Sequence, residues 1–164
     1  MPGHSGEGKP SPFSLTIDPM THPDVRLVLD TNTVLALWMF RDPALAALRD
    51  WIERSRPPLL ACTDTLGELR AVLGYAQFGQ GLEAREALLS AYRGQIREIA
   101  MPPAPTLPAC KDPDDQKFLE LAVGAGATHL LTRDRALLKM ARRRGISGLL
   151  AIVTPEAFSR QLAP

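Results

Sequence analysis

Cysteine is nearly absent from this chain. The two present, Cys62 and Cys110, are too few for a disulfide framework, and a reducing cytoplasm is the expected compartment. Long apolar runs are missing too: no stretch approaches the roughly 20 residues that a membrane span requires, so no membrane partner is expected. Aromatic residues make up only 5% of the chain, which excludes an extended platform for stacking nucleobases. Charge of one sign is also lacking, with a formal net charge of +1. Any polyanion would therefore have to be met by locally segregated cations. The first residues, MPGHSGEGKPSPFS, show no basic region leading into an apolar core, unlike a secretory leader.

What is there suits a globular protein. Hydrophobic residues at 45% and charged residues at 23% over 164 positions fit one domain with a sound core. Residues 1–24 carry five prolines and three glycines and read as a flexible tail, with the folded domain spanning 25–164. RLVLD (26–30), LLACT (59–63), QIREI (95–99), THLLT (128–132) and LLAIV (149–153) read as short strands. Helices are expected over about 33–40, 44–54, 65–76, 82–92, 112–125, 134–144 and 155–161. In the second, Leu45, Leu48, Trp51 and Ile52 share one face, and in the fifth Phe118, Leu119, Ala122 and Val123 turn inward. MPPAPTLPA (101–109) has four prolines in nine residues and must be an extended loop. Strands alternating with helices predict an α/β three-layer sandwich around a mostly parallel sheet of about five strands.

Four acids fall at strand ends or helix starts: Asp30 in LVLDTNT, Glu68 in ACTDTLGEL, Asp115 in CKDPDDQKF and Asp134 in HLLTRDRAL. Each alone is explained as a cap. Asp30 and Asp134 are good N-caps, and Glu68 completes a Thr65-x-x-Glu capping box, with Asp64 as the neighbouring acid. Asp112 caps the helix that Pro113 opens, and Asp114 or Asp115 favours its dipole. Three acids there exceed what a helix start needs, and Asp115 begins the inward-facing register. In a parallel sheet such positions converge at one edge, where ligands bind beyond the carboxyl ends of the strands. Carboxylates gathered there repel one another unless a cation lies between them, and oxygen-only donors suit Mg²⁺ or Mn²⁺. Asn32 and Thr33 can add oxygens or orient Asp30.

Taken together, LVLDTNT, an acid early in the helix after the second strand, DPDDQKFLELA and GATHLLTRDRAL resemble the PIN-domain family. Within it they resemble the bacterial branch of toxin components of toxin–antitoxin pairs, over roughly residues 25–163. The resemblance implies a five-stranded parallel sheet between helices and metal-dependent phosphodiester hydrolysis, with RNA as substrate. By position it makes Asp30, Glu68, Asp115 and Asp134 the catalytic quartet and Asn32 and Thr132 supporting groups, with Asp112 and Asp114 belonging to the pattern. The sequence departs from the family at Thr33, where a β-branched apolar residue is common.

The chemistry expected is that of a bound Mg²⁺ or Mn²⁺, with Asp30 and Asp115 as direct ligands and Asp134 completing the site. Glu68 would serve a second ion or the attacking water. Substrate would approach along a basic rim of Arg70, Lys117, Arg133 and Arg135, with Lys111 nearby. Arg142, Arg143 and Arg144 form a denser run that a helix C-terminus also explains. Trp38, Met39, Phe40, Leu45 and Trp51 are compatible with a groove for a cognate antitoxin or a homodimer, and equally with core. Two other readings remain at this level. One is a non-catalytic module of the same fold that binds RNA or protein. The other is a haloacid-dehalogenase-type phosphatase, against which Asn32 stands where the second acid of its DxD motif belongs.

Overall fold

A computed structural model describes residues 24–75, 81–103 and 106–162. The expected N-terminal tail, apart from Asp24, lies outside the described residues. Five strands form one parallel sheet: β1 (Leu27–Leu29), β2 (Leu59–Ala61), β3 (Ile96–Glu98), β4 (His129–Leu131) and β5 (Ala151–Val153), in the order β3-β2-β1-β4-β5. The expected α/β sandwich is therefore present. The strands are shorter than the apolar runs that announce them, but their ladders run on by a residue. Asp30 N–H donates to Leu131 C=O (3.3 Å), Thr132 N–H to Val153 C=O (3.0 Å) and Ile99 N–H to Ala61 C=O (2.8 Å).

Alternation along the strands divides the core between the two faces. Leu27, Leu29, Leu59, Ala61 and Leu131 pack with Trp51, Leu69, Tyr92 and Phe158 on one side. Val28, Leu60, Leu130 and Ile152 pack with Phe118, Leu119, Leu137 and Ile146 on the other. Helices α2 (Ala46–Ser55), α3 (Thr63–Leu73), α4 (Leu82–Arg93) and α7 (Pro155–Gln161) cover the first face, while α5 (Gln116–Gly124) and α6 (Arg135–Met140) cover the second. In α5 the inward register includes Leu121 at full burial, whereas Val123 is only half-buried.

Several helices depart from the expected bounds for identifiable reasons. The first begins at Thr31, because Asp30 caps it, and α1 (Thr31–Val34) passes into a π-helix over Leu35–Met39 closed by Phe40 N–H to Leu35 C=O at 2.8 Å. α3 begins two residues early with Cys62 as N-cap, and Thr65 Oγ1 accepts from Cys62 N–H (3.0 Å). Thr65 is thus the third helical residue, and the Thr65–Glu68 capping box does not form. Asp112 caps a 3-10 turn over Pro113–Asp115 that leads into α5. α6 stops at Met140 instead of running to about 144. The chain beyond it proceeds by tight turns that use positive φ at Gly145 and Gly148.

Candidate active site

The sheet order reverses direction beside β1, so the carboxyl ends of β1 and β4 flank the switch point of the fold. Asp30 follows β1 and is buried. Its Oδ1 accepts from Thr33 N–H at 2.9 Å, and its Oδ2 accepts from the Thr132 hydroxyl at 2.5 Å. Burial pushes its pKa up and the nearby Asp134 charge adds to this, while the hydrogen bonds from Thr132 and Thr33 oppose the shift. The Thr33 hydroxyl, expected to contribute to the site, points instead to Leu131 C=O (3.0 Å). There it satisfies a fully buried polar group and ties the end of β1 to β4.

Thr132 follows β4 and is fully buried. Besides donating to Asp30, its oxygen accepts from Asp134 N–H at 2.9 Å, so one hydroxyl fixes the positions of two acids. Asp134 Oδ1 caps α6 through Leu137 N–H (3.0 Å). Its capping and site positions are therefore the same geometry.

Glu68, released from capping, reaches across from α3. Its Oε2 accepts from the Thr31 hydroxyl and its Oε1 pairs with Lys117 Nζ at 2.6 Å. Thr31 is the site residue that sequence reasoning passed over. Its only signal was a hydroxyl directly after Asp30. Asp115 contrasts with the other three acids of the quartet: its Oδ2 is buried without a hydrogen-bond partner among the described residues. Burial first, then the negative charges of Asp134, Asp112, Asp30 and Glu68, push its pKa up to about 6. Asp112 Oδ1 accepts from Asp114 N–H (2.9 Å), and Asp114 C=O accepts from Lys117 Nζ (2.5 Å).

Asp30, Glu68, Asp112, Asp114, Asp115 and Asp134 line one pocket of about 250 Å³, with Asn32 at its exposed side. Asp64 is exposed and does not line it. Among the described residues no three His, Cys, Asp or Glu side chains stand as a metal-ligand cluster, and Asp30, Glu68 and Asp134 direct oxygens to protein donors. The donor set nonetheless fits a hard divalent cation: every candidate ligand atom is oxygen, and Asp115 Oδ2 is a buried acceptor with no donor among the described residues.

The expected basic rim is not a unit. Arg133 is held by Asp42 (2.8 Å) and by Glu156, and these contacts lower the Asp42 pKa and raise that of Arg133. Arg133 therefore braces the end of β4 against neighbouring elements. Arg70 is exposed on α3 but two residues past Glu68, a spacing at which helical side chains do not share a face. Lys117 is already paired to Glu68. Arg135 lines an adjoining hollow, not the acidic pocket.

A sequence profile of the family described as PIN domain matches residues 26–136, more than half of the chain and a span that includes all four acids of the quartet. No curated protein matches the chain.

Proposed function

The chain belongs to the PIN domain family, whose members are generally nucleases that use divalent metals. From that membership we propose that it is a Mg²⁺- or Mn²⁺-dependent ribonuclease acting at the acidic pocket, as the toxin component of a toxin–antitoxin pair. The observation that carries the reading is Asp115: a buried carboxylate oxygen without a donor among the described residues, raised in pKa by burial and by the acids around it. Such an arrangement is costly in a bare protein and relieved by a cation.

In this reading Asp30 and Asp115 offer the direct ligand oxygens, and Asp134 completes the set. When bound, the ion supplies a coordinated water of lowered pKa and neutralises charge on the phosphate oxygens. Thr132 and Thr33 hold the Asp30 carboxylate in one orientation, which keeps its oxygens aimed without a reorganisation cost. Glu68, at the pocket wall, would serve a second ion or take a proton from the attacking water, in either case once Lys117 releases it. Asn32, Asp112 and Asp114 shape the mouth. An antitoxin or a second copy of the chain would meet Trp38, Met39 and Phe40. Phe40 is 58% exposed, whereas Leu45 and Trp51 are core. No helix among the described residues is long and apolar enough to cross a membrane.

The test is cleavage of a panel of single-stranded and structured RNAs with Mn²⁺, Mg²⁺ or EDTA, comparing wild type with Asp30→Asn and Asp115→Asn. The expected result is cutting that needs the metal and is lost in both variants. Cutting that persists in EDTA, or in Asp115→Asn, would sink the proposal. Growth arrest on expression, relieved by a co-expressed antitoxin, tests the toxin assignment separately.

A further inference from the structure

Beside the acidic pocket lies a second one of opposite charge. Its volume is about 360 Å³, and Lys111, Arg135, Lys139 and Arg143 line it together with apolar Ala136 and Met140. No acid lines it. A hollow of about 350 Å³ on the other side of Arg135 and Lys139 extends the same surface to Arg142. Local structure explains the gathering. Arg135 and Lys139 stand one turn apart on α6, and the early end of α6 at Met140 brings Arg143 back through a turn closed by its N–H to Met140 C=O (3.0 Å). Lys111 arrives from a different loop.

Helix-dipole complementarity accounts for Lys139, in the last turn of α6, but not for the cluster. Arg135 is the first residue of α6, where a cation is disfavoured, and Lys111 is in no helix. All four cations are exposed, and none makes an ion pair among the described residues, whereas Arg133 beside them is held by two carboxylates. Uncompensated like charges around one cavity favour an anion there. The two pockets are contiguous along the chain, since Lys111 precedes Asp112 and Arg135 follows Asp134. A polyanion reaching the acids must overcome their repulsion, and this surface supplies the attraction.

We propose that the pocket of Lys111, Arg135, Lys139 and Arg143 binds a backbone phosphate of the RNA strand next to the phosphodiester at the acidic pocket. The inference rests on the nuclease reading for what the acidic pocket does, but binding can be read without cleavage. Phosphate contacts of this kind position a strand without reading its sequence, in keeping with so few aromatic residues.

The experiment measures anisotropy of a fluorescein-labelled single-stranded oligoribonucleotide with Asp115→Asn protein in Mg²⁺ over a salt series. The parent is compared with Lys139→Gln/Arg143→Gln and with the distant exposed pair Arg54→Gln/Arg160→Gln. The expected result is binding weakened about tenfold or more in the first pair only. Its salt slope should be shallower by about 0.7 for each lost contact. Equal affinity and slope in parent and pocket variant overturn the proposal. So does a parent that binds no RNA, or one that binds a polyglutamate peptide as tightly with the same losses, which makes the surface a protein-docking site. If wild type binds RNA through this pocket yet never cuts it, the nuclease reading fails and the pocket stands. If Lys139→Gln/Arg143→Gln in the otherwise wild-type chain cuts and binds normally, the pocket alone fails.

Discussion

The Thr132 hydroxyl donates to Asp30 Oδ2 at 2.5 Å across the seam between β1 and β4, two residues 102 positions apart in the chain. Thr132 also accepts from Asp134 N–H, so removing its hydroxyl orphans both a buried acceptor and a donor. Each orphaned group costs about 1–3 kcal/mol. Thr132→Val, which keeps the shape, should therefore lower stability to urea by at least that amount, and Thr132→Ser should retain most of it. Equal unfolding midpoints for wild type and Thr132→Val would show that the bridge does not fix the site.

The pH dependence of stability follows from Asp115. Its folded pKa, about 6, lies above its unfolded value, so its ionised form is disfavoured in the fold. Its contribution to the metal-free protein is unfavourable at neutral pH, and stability is regained as pH falls through about 6 toward about 4. Asp30, raised by burial, acts in the same sense. Asp42, held low by Arg133, acts oppositely, but only as pH falls below the ordinary carboxylate range. In EDTA, the stability difference between Asp115→Asn and wild type should be largest near neutral pH and shrink toward pH 5. Mn²⁺ should stabilise wild type more at neutral pH than at pH 5. A difference that does not vary with pH contradicts the assignment.

The strands, the layer structure and the positions of Asp30 and Asp134 were legible because each belongs to a local pattern: an apolar run that ends in a polar turn, followed by a helix. Asp115 was legible from the helix start that Asp112 and Pro113 announce, whereas the order of the strands leaves no mark in any local pattern. Glu68 was harder to read. Its Thr65-x-x-Glu spacing imitates a cap, and only the placement of Cys62 as the true N-cap shows that the side chain is free to reach Thr31 and Lys117. Arg133 misled for the opposite reason. Adjacency to Asp134 suggested a shared site, yet at a strand end consecutive side chains point to opposite sides. Its partner Asp42 is 91 residues away, a pairing that no local pattern announces. The π-helix after Val34 likewise left no mark in the periodicity of Leu35–Met39.

Gly124, half-buried near the end of α5, approaches the proline-rich loop closely. A Cβ there would stand 2.8 Å from Pro102 Cγ and 3.1 Å from Pro103 C=O, and neither a proline ring nor a backbone carbonyl gives way easily. Gly124→Ala should destabilise by about 1–3 kcal/mol through overpacking, even though alanine is the better helix former. Chemical denaturation of the two proteins decides it: a more stable Gly124→Ala means that the loop does not pack there.

Lys117 is the last point of discrimination. Its ammonium lies 2.6 Å from Glu68 Oε1, while Thr31 holds Oε2, so both Glu68 oxygens are engaged in the bare protein. A cation drawing on Glu68 must displace Lys117. The pair is partly exposed, with side-chain accessibilities of 21% and 27%, and is worth about 0.5–1 kcal/mol. Lys117→Met should therefore weaken the metal-free fold slightly and raise Mn²⁺ affinity about two- to fivefold in calorimetric titration, since the competitor is gone. With RNA present the same variant should need more substrate for half-maximal rate, because a cation has left the approach to the pocket. If Lys117→Met instead binds Mn²⁺ more weakly, the lysine orders the ligands and does not compete with the ion, and Glu68 belongs to the wall of the site and not to its metal.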